Sequence, residues 1–199
     1  MKSNNKRICV TVRPLCYIIV AASVLLIPLR LVLAFMIAIT VHELGHYLAL
    51  KFMNVKIYAL TVGTDGVLID TEPMDRSKEL LTTAAGPVFG LLPLLFYRQI
   101  PLVALFACLQ TVYNLLPIYP HDGGRIIACI CSGSKVGAVI QTLLRYATYF
   151  VLCFLSFSCT FVLGLGIVPI VAVFVFIIKN LGRKTPCNQY QTALQYTLK

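Results

Sequence analysis

The run LVLAFMIAITVHELGHYLALKF, Leu31 to Phe52, carries His42, Glu43 and His46 inside an almost unbroken apolar stretch. The His-Glu-x-x-His spacing sets two imidazoles one helical turn apart on one face, where both can bind a single zinc ion. Glu43 lies on the same helix and can act as a general base toward a water polarised by that metal. Ionisable side chains in so apolar a segment are costly, and by default they mark a functional site. The flanking residues place that site inside a bilayer or at its edge.

The rest of the chain agrees with a membrane setting. Its 199 residues are 59% hydrophobic and 12% charged, with a mean hydropathy of +0.86. A water-soluble domain cannot hide that much apolar surface. The formal net charge of +10 then reads as basic loops facing the cytoplasm and anionic lipid headgroups. No basic patch interleaved with aromatic residues is present, so nucleic acid is not an expected partner.

Six apolar segments are expected to be transmembrane helices: Leu15–Leu29, Leu31–Phe52, Leu80–Tyr97, Pro101–Tyr119, Val136–Ser158 and Cys159–Ile178. Gly164 and Gly166 offer an alternative turn between the last two. With the N-terminus in the cytoplasm and sides alternating, Arg30 and Arg98 fall outside and Arg145 falls within the fifth segment. The other fourteen of the seventeen Lys and Arg residues fall inside. That asymmetry predicts a multi-pass protein of the cell membrane with both termini cytoplasmic. The basic N-terminus followed by an apolar stretch resembles a signal peptide, but no small-x-small site precedes a polar region, so a retained first helix is expected. The predicted fold class is an all-α polytopic membrane protein: one domain over residues 1–182, its core at 31–125, with a short cytoplasmic tail at 183–199.

Between the second and third segments, Val55–Val62 has strand-like content, Asp65-Gly66 is a turn signal, and Val67–Asp70 can return. A small membrane-associated β-hairpin is expected there, able to hold a substrate as an added strand. A catalytic zinc also needs a third protein ligand and an open position. His121 and Asp122 are the candidates, in the stretch Asn114 to Arg125. Pro117 and Pro120 break the helix end there, and Gly123-Gly124 allows a tight turn. Cys129 and Cys131 are two apart and lack a paired motif, so a second metal site is not expected.

Taken together, His42-Glu43-Leu44-Gly45-His46, Ala85-Gly86-Pro87-Val88-Phe89-Gly90 and Asn114 through Arg125 resemble the site-2 protease family of intramembrane zinc metalloproteases. The six-span layout looks most like the branch of the stage IV sporulation protein FB type. The resemblance implies that His42, His46 and Asp122 hold Zn2+ and that Glu43 is the catalytic base. It further implies that Asn114 positions substrate or stabilises the oxyanion. The implied reaction is hydrolysis of a peptide bond within or next to a transmembrane segment of a membrane-protein substrate, such as a regulatory or sporulation pro-protein. The lipid bilayer and an inhibitory membrane partner complete the expected associations. Site charge also favours Asp122 over His121, because a carboxylate leaves one unit less positive charge in an apolar pocket than a third imidazole. Members of the sporulation branch often carry a nucleotide-sensing domain after the last span, and regulation through one is not expected here.

Plainer readings compete at some positions. Asn114 can serve as an interhelical hydrogen-bonding residue, and Gly86 and Gly90 as contacts that let helices approach. Arg145 reads as a snorkelling or lipid-binding residue, and Tyr58 and Tyr119 as interface anchors. The main functional alternative is a catalytically inactive metal-binding membrane scaffold or a transporter. A prenyl-protein protease fits less well, because its typical glutamate third ligand is absent.

Overall fold

A computed structural model describes residues 9–63, 66–131, 135–162, 164 and 166–181. Lys2, Lys6, Arg7, the turn residue Asp65 and the expected tail at 183–199 lie outside the described residues. Of the described residues, 73% are helical. It divides into two compact units, Met1–Val112 and Tyr113–Lys199.

The elements of the first unit are β1 (Cys9–Val12), α1 (Pro14–Leu26), α2 (Leu29–Phe52), β2 (Ile57–Gly63), β3 (Gly66–Thr71) and α3 (Arg76–Gly90). A 3-10 turn at Leu92–Phe96 and α4 (Pro101–Asn114) follow. Prolines punctuate this order for a plain reason: each lacks an N–H and fixes φ, which suits a first helical turn. Pro14 opens α1, Pro28 caps α2 and Pro101 opens α4. At its other end α2 stops on Asn54, whose φ of 54° lies in the left-handed region that Asn tolerates. The Val55 N–H then reaches back to the Leu50 carbonyl at 3.0 Å.

Helix α2 is built inside out relative to a helix of a soluble protein. Leu33, Phe35, Met36, Ile37, Leu44 and Leu48 are exposed, while Ala34, Ala38, His42 and Gly45 are buried. Small residues, Ala34, Ala38 and Gly45, make up half of the buried positions, and Gly45 lets α2 come close to α3. Its 24 residues span about 36 Å, enough for a hydrocarbon core of about 30 Å.

The expected hairpin is present as β2 and β3, paired antiparallel from Ile57↔Thr71 to Gly63↔Gly66. Its base is tied by Lys56 N–H to Glu72 Oε1 at 3.1 Å and Glu72 N–H to the Lys56 carbonyl at 3.0 Å. A strand not expected from the sequence joins it: β1 pairs parallel to β2, from Cys9↔Ala59 to Val12↔Val62. The order β1-β2-β3 leaves β3 as an edge. The expected helical fold with a hairpin is thus extended by a third strand. Four residues beside a proline carry too little periodicity to announce a strand.

The second unit contains α5 (Asp122–Cys131), α6 (Lys135–Phe161) and α7 (Val168–Leu181). The fourth apolar segment stops being helical at Asn114 rather than Tyr119, because Pro117 and Pro120, with no N–H and a fixed φ, cannot continue the helix. Helix α6 passes the expected break at Ser158 and ends at Phe161. The turn beyond it uses Gly164 and Gly166, at φ 66° and 70°.

Among the described residues, three helices are long and apolar enough to cross a bilayer: Leu29–Phe52, Arg76–Phe96 and Val136–Phe161. The other three apolar helices, α1, α4 and α7, have 13 or 14 residues and reach only about 20 Å. Each of the six expected segments is thus largely helical, and three attain spanning length. With its apolar faces turned outward, this is a multi-pass membrane protein.

The turn into α5 depends on two glycines. A Cβ on Gly123 would overlap the Leu115 carbonyl, and one on Gly124 would overlap the backbone of Ile118. We expect Gly123→Ala and Gly124→Ala each to lower the thermal midpoint in detergent, consistent with about 1–3 kcal/mol for overpacking. Leu143→Ala, on the exposed face of α6, should leave it unchanged.

Candidate metal centre

The centre of the first unit is a close approach of α2 to α3. A Cβ on Gly45 would lie 2.6 Å from the Ala85 carbonyl oxygen and 2.7 Å from Phe89 Cβ. No larger side chain fits there, so the two backbones lie almost against each other. His42, about one turn before that contact, and His46, the residue after it, project over α3. A Cβ on Gly86 would overlap the His46 imidazole, and one on Gly90 would lie 3.0 Å from His42 Nδ1 and 2.8 Å from Thr111 Oγ1. Gly86 and Gly90, which the sequence suggested as packing positions, are therefore the floor on which the two rings rest.

The rings are oriented as well as accommodated. His46 Nδ1 lies 2.9 Å from the Thr82 carbonyl oxygen. A carbonyl can only accept, so this contact puts the ring proton on Nδ1 and leaves the Nε2 lone pair available. Metal-ligating histidines are typically held in this way. His46 Nε2 lies 3.3 Å from His42 Nε2, with the ring planes crossed at 77°. Two nitrogens each roughly 2.0–2.1 Å from one zinc at the tetrahedral angle lie about 3.3 Å apart. The two donor atoms thus already have the separation of one edge of a zinc tetrahedron, and Zn2+ is the cofactor these residues fit. His42 is 2% exposed, deep enough to keep the site from bulk water.

Glu43 follows His42 on α2 and is half-buried. The sheet reaches toward it: a Cβ on Gly66, where β3 begins, would lie 3.6 Å from Glu43 Oε1. Gly66 has a φ of 114°, a conformation other residues rarely take, so the strand can start here only on glycine.

The remaining candidates belong to the second unit. Asn114 is the last residue of α4 and is half-buried. Asp122 is the first residue of α5 and is 8% exposed. His121 precedes it, with its ring 4.6 Å from Tyr113 and stacked 5.7 Å from Phe176 between centroids. Its carbonyl accepts the Arg125 N–H at 3.0 Å. Gln141, buried on α6, donates to the Gly124 carbonyl at 3.4 Å and braces the same turn.

Sequence reasoning missed the Thr82 carbonyl, since a backbone acceptor leaves no mark on residue identity. A sign of the platform was present all the same: Thr82, Gly86 and Gly90 recur every four residues, on one face of α3, as His42 and His46 do on α2.

No protein-family model matches the chain. A zinc metalloprotease of Methanocaldococcus jannaschii is 29% identical over 120 residues, an alignment that takes in 53% of this chain and 35% of that relative. The chain therefore spans about a third of the length of the curated relative it matches. A solved site-2 protease from the same organism superposes with a TM-score of 0.53 at 22% identity, covering 80% of this chain and 81% of that one. The chain has the site-2 protease fold. In sequence the chain is similar to a zinc metalloprotease, and in fold to a site-2 protease.

With α3 as the floor beneath both imidazoles, Gly86→Ala and Gly90→Ala should lower zinc affinity by at least about tenfold. Gly86→Ala should be the more damaging. Leu44→Ala, on the exposed face of α2, should keep it. Metal content after dialysis against a zinc buffer reads this directly.

Proposed function

We propose that this protein is an intramembrane zinc metalloprotease, hydrolysing a peptide bond within or next to a transmembrane segment of a membrane-protein substrate. The observation that carries this reading is the pair of Nε2 atoms at 3.3 Å beside a glutamate, on an apolar helix of spanning length. In this reading Asp122 is the third zinc ligand. A buried carboxylate needs a cation or a metal, and Asp122 is buried where the chain turns into α5. When bound, zinc polarises the attacking water and the scissile carbonyl.

The chain's own residues do the rest. Glu43 takes the proton of the attacking water through its carboxylate and returns it to the leaving amine. The Asn114 side-chain amide donates a hydrogen bond to the oxygen that gains charge. Helical peptide bonds are shielded by their own hydrogen bonds, so the substrate unwinds before it reacts. The free edge of β3 receives it as an added strand, a role supported by the approach of Gly66 to Glu43. Proline at Val67 or Leu68 tests this. Neighbouring N–H groups point to opposite sides of a strand, so one of the two substitutions removes a donor from the free edge.

The same reading takes all six apolar helices as membrane segments, the short ones tilting little or thinning the bilayer. It places both termini in the cytoplasm, as the Lys and Arg distribution favours. It sets the protein nearest the stage IV sporulation protein FB branch, with a sporulation or regulatory pro-protein as substrate and an inhibitory membrane partner. In a background without native cysteines, Gln99→Cys should react with an impermeant thiol reagent on intact cells and Ser77→Cys should not. The reverse pattern would overturn this orientation.

Co-expression with candidate membrane substrates separates a protease from a metal-binding scaffold. Glu43→Gln should retain one zinc per chain and reduce cleavage by several orders of magnitude, whereas His46→Ala should lose both metal and cleavage. Normal cleavage by Glu43→Gln would rule out its role as base. Asp122→Asn should lose most zinc and activity, and His121→Leu should keep most of both.

A further inference from the structure

Thr111 is a buried hydroxyl without an assigned task. It lies on α4, three residues before Asn114, and is 2% exposed, and its Oγ1 makes no hydrogen bond within the structure. Threonines inside helices usually spend that hydroxyl on a carbonyl of the preceding turn. Several in this chain do so: Thr40 donates to Met36, Thr142 to Ala138 and Thr148 to Leu144, at 2.8 to 2.9 Å. Thr82 donates to Glu79 at 3.1 Å. Thr111 does not. Its hydroxyl turns instead toward the space that Gly90 leaves open, and His42 Nδ1 borders the same space. The point a Gly90 Cβ would occupy lies 2.8 Å from Thr111 Oγ1 and 3.0 Å from His42 Nδ1.

We propose that Thr111 is a positioning residue of the metal centre, whose hydroxyl accepts the Nδ1 proton of His42 when the centre is loaded. The proposal rests on the zinc reading of His42 and His46. A histidine that binds zinc through Nε2 carries its proton on Nδ1, and an acceptor there fixes the ring and raises its basicity. For His46 that acceptor is the Thr82 carbonyl. For His42 the side chain bordering its Nδ1 across Gly90 is Thr111. A hydroxyl suits this place because it accepts by rotation about one bond, with no charge added to an apolar site. Thr83 also keeps a buried hydroxyl unbonded, but it lies on α3 itself, the helix that carries Gly86 and Gly90. Gly90 thus has two duties: it seats the ring, and it keeps the path between ring and hydroxyl open.

The test uses the full-length protein in detergent, with zinc as the probe against a chelator of known affinity and cobalt as a spectroscopic substitute. Thr111→Val keeps the shape and removes the acceptor, and should weaken zinc binding by about 10- to 100-fold. The visible absorption of the cobalt-loaded protein should change, while the thermal midpoint of the metal-free protein should hold. Thr111→Ser restores the hydroxyl and should recover most of the affinity. Unchanged zinc affinity in Thr111→Val overturns the assignment, as does a loss that Thr111→Ser fails to repair, since that is a packing effect. If the wild-type chain binds no zinc while remaining folded, the metal reading itself fails and this proposal with it. The wild-type titration distinguishes that case from a failure confined to Thr111.

Discussion

The close approach of α2 to α3 at Gly45 is the contact on which the centre depends. Its energy is ordinary van der Waals attraction, but its geometry is restrictive. With Ala85 and Phe89 within 3 Å of where a Cβ would stand, the helices can meet only through glycine. That proximity brings the Thr82 carbonyl within hydrogen-bond reach of His46 and sets Gly86 and Gly90 beneath the two rings. In a bilayer, helices gain nothing from leaving water, so small residues and polar bonds must supply the association. Here the same small residues that allow association also shape the polar site, which couples folding of the helix pair to placement of the donor atoms.

A second constraint is the cost of polar groups at membrane depth. Histidine, glutamate and aspartate in apolar surroundings are tolerated where each meets a partner. The exposed faces of α2 and α6 are almost wholly apolar, while the buried positions hold His42, Gln141, Tyr149 and Ser156. The inverted pattern explains why hydropathy located the helices well and located their ends poorly. Hydropathy continues through a proline or a loop that is itself apolar, as in Leu115 to Tyr119, whereas the backbone does not.

What was legible in the sequence follows the same division. The histidine spacing made His42 and His46 readable, because two donors separated by one turn can hardly avoid each other on a helix. The Asp-Gly signal and alternating flanks made the β2–β3 hairpin readable. Strand β1 was not, since its pairing with Ala59 to Val62 is parallel and non-local, and nothing near Cys9 encodes it. Gly86 and Gly90 were visible as a packing pair, but the imidazoles resting on them required the structure. Thr82 acts through its backbone and Thr111 through a rotatable hydroxyl, and neither function has a pattern that spacing could reveal.

The most direct measurement is X-ray absorption at the zinc edge on the purified full-length protein. A shell of nitrogen and oxygen scatterers at about 2.0–2.1 Å, with the outer-shell signature of two imidazoles and no sulfur, is the expected result. Sulfur at about 2.3 Å would move the metal to the cysteines. A spectrum without imidazole scattering would remove it from α2. Either finding would contradict a centre built on His42 and His46.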